Sequence, residues 1–482
     1  MAEHRPAAAT GSGDAPLSAR LAAFATDARD HGLPDEVAAS VRQRILDILG
    51  ICVAAARLDT SRAVVQHVAD QGGAAQSSAV TLSDRVPASQ AAFVNGVLAH
   101  SLDYDDTHLP SILHPSASVV PAALATAELA RSGGAALQAA VAAGLEVTVR
   151  LGMAGYDRDA GNSLFFERGQ HATSICGAIG AAAASALLLG LDTDGVDDAI
   201  GIAVSMASGL LEANRTGGTV KRLHCGWAAH AGVSAAQLAS RGITGPPTVL
   251  EGRFGFYQGF LDGEFHPEEI TDGLGDTWSV PDIHFKPYPA NHFTHTGIDG
   301  AVRLRERGIG PDDVAALRLG VAAPTVRTIG EPLDVKRTPD TGYQAQFSGP
   351  YTIAAALLGG SGLALGLDDF TDELARDPQR RALMAKVDVV ADPRCDERYP
   401  DELPGVLTAT LTNGDEVVEE VWANRGGPSR PLDADELATK FRDNALRGLD
   451  GDAVAIIEDQ VFGLGQVGDL GPVMAALRSS HG

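Results

Sequence analysis

From Leu17 to about Arg241, apolar residues recur at three- and four-residue intervals in one segment after another, the spacing of helices that bury a face. LSARLAAFATDARD, PDEVAASVRQRILDILGICVAAA and SQAAFVNGVLAHSLD read this way, with Pro34 suited to a first helical turn. Further helices are predicted at VVPAALATAELARSG, ALQAAVAAGLEVTVRLGMAG, HATSICGAIGAAAASALLLG, TDGVDDAIGIAVSMASGL and GWAAHAGVSAAQLASRG, most of them stopped by glycine. They are apolar on nearly every side and so predict mutual burial. After about Leu274 proline becomes frequent, and ALRLGVAA, KVDVVAD and GVLTATLTNGDEVVEEV read as strands, the last folded back at Asn413-Gly414. PLDADELATKFRDNALRGL and DAVAIIEDQVFGL return to helical spacing. The expected fold is mainly α, with a large all-helical domain and a smaller α+β domain. Its expected division is a tail at 1–16, a first helical segment at 17–274, the α+β domain at 275–425, and a segment at 426–482 that rejoins the helices.

Composition sharpens this picture. A chain of 482 residues is long enough for two cores. Only 5% of it is aromatic while 55 residues are glycine, so helices can approach closely. The net charge of −25 repels nucleic acid and anionic membranes, and neither is an expected partner. It also demands that any acidic ligand be held in a locally basic pocket. Lysine occurs at Lys221, Lys286, Lys336, Lys386 and Lys440, so a lysine inside a polar cluster carries weight. Cys52, Cys176, Cys225 and Cys395 lie far apart, mostly within apolar runs, as buried reduced thiols do; a cytoplasmic location is expected. The first sixteen residues lack the apolar run of a signal peptide, and Gly177–Leu191, the most apolar stretch, is short for a membrane span.

Four polar clusters interrupt the helices. The first, His100-Ser-Leu-Asp103-Tyr104-Asp105-Asp106-Thr107-His108, is followed by His114-Pro115-Ser116. It lacks the spacing of the common metal motifs, and no metal is expected. A helix end with capping aspartates and solvated histidines accounts for the same residues. The second, Glu167-Arg168-Gly169-Gln170-His171, precedes an apolar helix, where a buried helix start suits an anion. The third, Gly217-Gly218-Thr219-Val220-Lys221-Arg222-Leu223-His224, joins two cations and an imidazole in a glycine-bounded loop fit to hold carboxylates. The fourth, His284-Phe285-Lys286 through His292 and His295, stands where the smaller domain begins, and clefts between domains are common ligand sites. No GxSxG elbow or Walker A loop occurs, and the GxGxxG at Gly463, Gly465 and Gly468 follows a helix rather than a strand.

Taken in order, HSLDYDDTH with HPSASVVPAALA, FFERGQHATSICGAIGAA, GGTVKRLHCGWAAHAGVSAAQLASRGITG, FKPYPANHFTH, AQFSGPYTIAAALLGG and PLDADELATKFRDNA resemble the MmgE/PrpD family over about Leu17 to Leu449. The resemblance implies a large helical domain with a smaller α+β lid, a homodimer, and no cofactor. It implies a site at Asp103, Thr107, His114, His171, Lys221, Lys286 and Tyr351. The loop from Thr107 to His114 is one residue longer than in the decarboxylases of the family.

Members of that family dehydrate, decarboxylate or epimerise small polycarboxylic acids. Each reaction needs charge next to a carboxylate to be stabilised while a proton moves. The expectation is a cofactor-independent lyase acting on an acid such as 2-methylcitrate or cis-aconitate. His171 and His114 carry protons, Asp103 orients one of them, and Lys221 stabilises the developing charge. Lys286, Arg222, His224 and Thr107 bind substrate, with Tyr351 adding a hydrogen bond. An epimerase using the same residues and a catalytically silent binding protein are the alternatives.

Overall fold

A computed structural model describes residues 15–478, so nearly all of the expected tail lies outside the described residues. The helices Leu17–His31, Asp35–Ala55, Ala88–His100, Ser116–Ala130, Gly134–Ala154, Ala172–Leu188, Thr193–Val204 and His224–Ala239 enclose one large apolar core. Ala172–Leu188 is buried at every position and packs against Ser116–Ala130, Gly134–Ala154 and His224–Ala239. Small residues permit this. A Cβ added at Gly96 would stand 2.8 Å from the Gly226 Cα, and one added at Gly144 would stand 2.7 Å from the Gly180 carbonyl oxygen. The glycine- and alanine-rich composition thus becomes backbone-to-backbone packing of helices.

Two sequence expectations need correction. Pro34 caps the Asp35–Ala55 helix from outside rather than occupying its first turn. The helix expected over TDGVDDAIGIAVSMASGL ends at Val204. The residues beyond it turn back to the start of Ala172–Leu188, where the Ser208 carbonyl accepts from Ser174 Oγ at 2.7 Å and the Gly209 carbonyl from the His171 backbone N–H at 3.0 Å. Among the described residues one helix, Gly134–Ala154, is long and apolar enough to cross a membrane, while Ala172–Leu188 is, as expected, too short. The longer helix is buried in the core and carries an internal Glu146–Arg150 pair at 2.8 Å. Arg150 also donates to the carbonyls of Ile270, Asp272 and Thr277, so the charge is fully engaged inside the fold.

The large core runs to Ile283, and a second core begins at Tyr288. The second is built on a four-stranded sheet in the spatial order Val387–Ala391, Val314–Val321, Gly405–Leu411, Glu416–Val421. The first pair is parallel and the other two antiparallel. The helices His295–Glu306 and Gly349–Leu358 cover the sheet and pack on each other. The chain then returns: Ala434–Ala445 packs against Asp35–Ala55, and Phe441, Ala445, Ile457, Val461 and Met474 all belong to the large core. A capping box starts this returning helix, Asp433 accepting from the Glu436 backbone and Glu436 from the Asp433 backbone.

Buried charges fix these pieces to one another. Arg44 donates to Asp106 at 2.9 Å and to the carbonyls of Ile283 at 2.6 Å and Val280 at 3.2 Å. Lys440 of the returning helix pairs with Asp47 at 2.7 Å and donates to the Tyr104 carbonyl at 3.2 Å. Removing one partner of such a pair leaves an uncompensated charge out of water. Arg44→Met is therefore expected to lower unfolding free energy by about 3–5 kcal/mol. Arg44→Met/Asp106→Asn should recover part of that loss. Urea unfolding followed by circular dichroism measures both, and equal stability of Arg44→Met and the parent would refute it.

Candidate active site

The Ala88–His100 helix ends where the carboxylate-rich loop begins, and Asp103 takes a left-handed backbone conformation at φ 52°. Aspartate tolerates that conformation better than most side chains. Each carboxylate of the loop then meets its own partner. Lys286 Nζ donates to the Asp103 carbonyl at 2.7 Å and approaches its carboxylate at 3.4 Å. Asp105 lies 2.8 Å from His100 Nδ1, and Asp106 takes Arg44. Thr107 exchanges backbone hydrogen bonds with His284 at 2.9 and 2.7 Å, which joins the loop to the connection between the two cores.

Histidines gather behind this loop. His114 Nδ1 donates to the Asp106 carbonyl at 2.6 Å and lies 3.2 Å from Thr107 Oγ1, while the Thr173 hydroxyl accepts from its backbone at 3.2 Å. His171 sits just ahead of the Ala172–Leu188 helix, its Nδ1 3.0 Å from His224 Nδ1. The His100 ring lies between them, with centroids 5.5 Å from both His114 and His171.

The site opens into a cavity of about 700 Å³ where the two cores meet. His100, Ser101 and Asp103 form one side; Asn214, Thr219, Lys221 and Arg222 another; Tyr343 and Phe347 close it from the smaller domain. Gly217 and Gly218, with φ of 91° and 113°, make the turn that presents Lys221 and Arg222. Arg222 donates to Thr60 at 2.8 Å and stands 5.9 Å from the Tyr343 ring. A chain of net charge −25 thus carries a local concentration of cations at one concave place.

The fold brings Asp103, Thr107, His114, His171, Lys221, Arg222, His224 and Lys286 together. It does not bring Tyr351. Ser348 caps a new helix there, its Oγ accepting from the Tyr351 backbone at 3.0 Å, and the phenol turns into the core of the smaller domain. The Tyr351 hydroxyl donates to the Asp369 carbonyl and accepts from Arg380 at 3.2 Å. Phe347 and Tyr343, four and eight residues earlier, face the cavity in its place. Sequence reasoning also left His100 without a role, although its place in the first cluster was visible. The lysine count pointed to Lys440 equally, and it lies buried beneath the loop on Tyr104, 4.0 Å from the ring centre.

The electrostatics separate the groups. Burial opposes charge on Asp103, but Lys286, then Lys221 and His114, outweigh it and hold the carboxyl well below its ordinary range. Burial also opposes charge on Lys221, and Asp103 more than compensates, so its ammonium is raised. Burial, then Lys286, pushes His114 down to about 4. Burial, then His100 and Lys221, pushes His224 down to about 4 and His171 well down. His100 moves the other way: burial opposes its charge, but the Cys225 sulfur and Asp105 raise it to about 10.

Residues 19–268 match the MmgE/PrpD N-terminal domain and residues 288–464 the MmgE/PrpD C-terminal domain. The chain belongs to the MmgE/PrpD family and is an enzyme of that type. It is 33% identical to human cis-aconitate decarboxylase, over 88% of this chain and 86% of that protein. It is 26% identical to the cis-aconitate decarboxylase of Aspergillus terreus, over 96% of each. With the mitochondrial 2-methylcitrate dehydratase of Yarrowia lipolytica it shares 28% identity over 49% of this chain and 46% of that protein.

Stability should follow these shifts. Between about 4 and the ordinary 6.5, the unfolded chain binds protons that folded His114 and His224 refuse, so their contribution falls as pH drops through that window. His100 has the opposite sign: its contribution is complete below 6.5 and fades as pH rises toward about 10. The urea midpoint is expected to fall from pH 7 to pH 4, and His114→Gln should flatten part of that fall. A midpoint independent of pH across this range would contradict the burial of neutral rings.

Proposed function

We infer that the protein is a lyase that removes CO₂ from a small unsaturated tricarboxylate of the cis-aconitate type, with no metal or organic cofactor. The observation that carries this is the cavity itself, where Lys221 and Arg222 share a wall with Asp103 and His100, and the rings of His114 and His171 lie behind His100. Coverage of cis-aconitate decarboxylases along nearly the whole chain supports the decarboxylase over the dehydratase, whose likeness spans about half of it.

The chemistry follows from the substrate. Its methylene carboxylate sits next to a carbon–carbon double bond, so loss of CO₂ leaves an electron pair that spreads over three carbons toward another carboxylate. Cations near that carboxylate lower the barrier. Lys221 and Arg222 bind the acid groups. Lys286 is committed to Asp103 and keeps that carboxylate from repelling the substrate. Thr107 and the neutral rings of His114, His171 and His224 orient the substrate and pass protons. Closure of the smaller domain over the cavity, carrying Tyr343 and Phe347, excludes water during the step.

The reading extends to a homodimer, supported by the exposed apolar side chains Leu210, Val220, Trp227 and Phe254 on the large domain. The four cysteines are free and buried, which supports a reducing cytoplasm.

Proton NMR of chelator-treated protein in D₂O with cis-aconitate tests the reaction. Release of CO₂ with one deuterium on the new C–H carbon is expected. Conversion of 2-methylcitrate with loss of water instead would make it a dehydratase, and deuterium exchange with inversion of a chiral dicarboxylate would make it an epimerase. Lys221→Ala is expected to lower kcat/KM by about 10²–10³-fold, as loss of one transition-state charge partner does. An unchanged rate would remove Lys221 from the mechanism.

A further inference from the structure

Decarboxylation ends with a proton placed on carbon, and His114, His171 and His224 are all held on the neutral side by burial and by neighbouring cations. His100 is built differently. It closes the Ala88–His100 helix and lines the cavity beside Ser101 and Asp103. Its Nδ1 lies 2.8 Å from Asp105, and both side chains are buried. Its Nε2 is buried and makes no geometric hydrogen bond among the described residues, while the Cys225 side chain lies close enough to the ring to favour its charge. The rings of His114 and His171 flank it at equal centroid distances of 5.5 Å.

We propose that His100, oriented by Asp105, is the proton donor of the reaction, delivering its Nε2 proton to the substrate carbon. This rests on the decarboxylase reading. A carboxylate on Nδ1 fixes that nitrogen as an N–H donor and leaves Nε2 as the atom that gains and loses the proton. Burial opposes the imidazolium, and Cys225, then this same carboxylate, favour it. In the step, the bond between the methylene carbon and its carboxylate breaks, CO₂ departs, and the electron pair shifts across the double bond to the far carbon. The His100 Nε2–H bond then breaks, its proton forms the new C–H bond, and the electron pair remains on Nε2. Water returns one proton to the ring after product leaves, so each turnover consumes one proton and releases one CO₂.

The surroundings of His100 allow this. Cys225, then Asp105 from the loop, favour the charged ring. His224 and Cys225 come from the His224–Ala239 helix, His171 from the start of Ala172–Leu188, and His114 from the segment before Ser116–Ala130. Lys286 and Lys221 act on Asp103, which approaches Lys286 at 3.4 Å.

Steady-state kinetics of His100→Gln and Asp105→Asn with cis-aconitate, across pH 5 to 10, test the assignment. His100→Gln should lower kcat by about 10²–10⁴-fold, the worth of a general acid, with KM changed only a few-fold. Asp105→Asn should keep measurable activity but move the alkaline limb of kcat to lower pH, because the imidazolium loses its carboxylate. A purely packing role would not move that limb. Full activity in His100→Gln, or an alkaline limb unmoved in Asp105→Asn, would overturn the proposal. Imidazole NMR of the parent protein decides independently of turnover: the signal lost in His100→Gln should remain that of a protonated ring at pH 8. A neutral His100 at pH 8 would overturn the dyad. Absence of cis-aconitate turnover in the parent, with His100 still protonated, would instead overturn the decarboxylase reading and the proton transfer built on it.

Discussion

The site depends on one constraint: every carboxylate in the loop after His100 is held by a partner, two of them by cations from distant parts of the chain. Asp103 meets Lys286 from the connection between the domains, Asp105 meets the last residue of its own helix, and Asp106 meets Arg44 from the Asp35–Ala55 helix. The Tyr104 carbonyl takes Lys440 from the returning C-terminal helix, and Lys440 is itself balanced by Asp47. In a low-dielectric interior an unmatched charge is expensive, so these pairings favour one arrangement of the loop and disfavour displaced ones. They also tie three distant stretches of sequence to a single short segment.

Helix packing supplies the platform for that loop. Because glycine and alanine line the contacts among the Ala88–His100, Ala172–Leu188 and His224–Ala239 helices, their ends converge within a small volume. His100, His171 and His224 stand at those ends, which is why the three rings are neighbours although their positions are far apart in sequence. Bulkier contact residues would separate the axes and the imidazoles with them. The acidic surface and the basic cavity follow the same division: carboxylates inside are each neutralised, while Lys221 and Arg222 remain at the wall to meet an anion.

Much of this was legible in the sequence. Apolar spacing identified the helices of the large domain, the Asn413-Gly414 turn identified the hairpin, and dense polar clusters marked Asp103, His171, Lys221 and Lys286. What was not legible depends on direction rather than residue type. Tyr343 and Tyr351 lie eight residues apart, and only the break at Ser348 decides that Tyr343 faces the cavity while Tyr351 enters the core. The segment after Val204 looked helical by composition, but the turn of Ser208 and Gly209 onto the next helix start won over local propensity. His100 looked like the end of a helix because its pairing with Asp105 and its free Nε2 exist only after folding.

The most direct measurement of the central claim is a crystal structure with propane-1,2,3-tricarboxylate, a saturated acid that matches the charges of cis-aconitate and has no double bond to receive the electron pair. The acid is expected in the cavity between the domains, with carboxylates on Lys221 and Arg222 and its carbon chain against His100, while Asp103 keeps Lys286. Binding elsewhere, or binding that pulls Lys286 from Asp103 and breaks the paired loop, would contradict a site built on those locked charges.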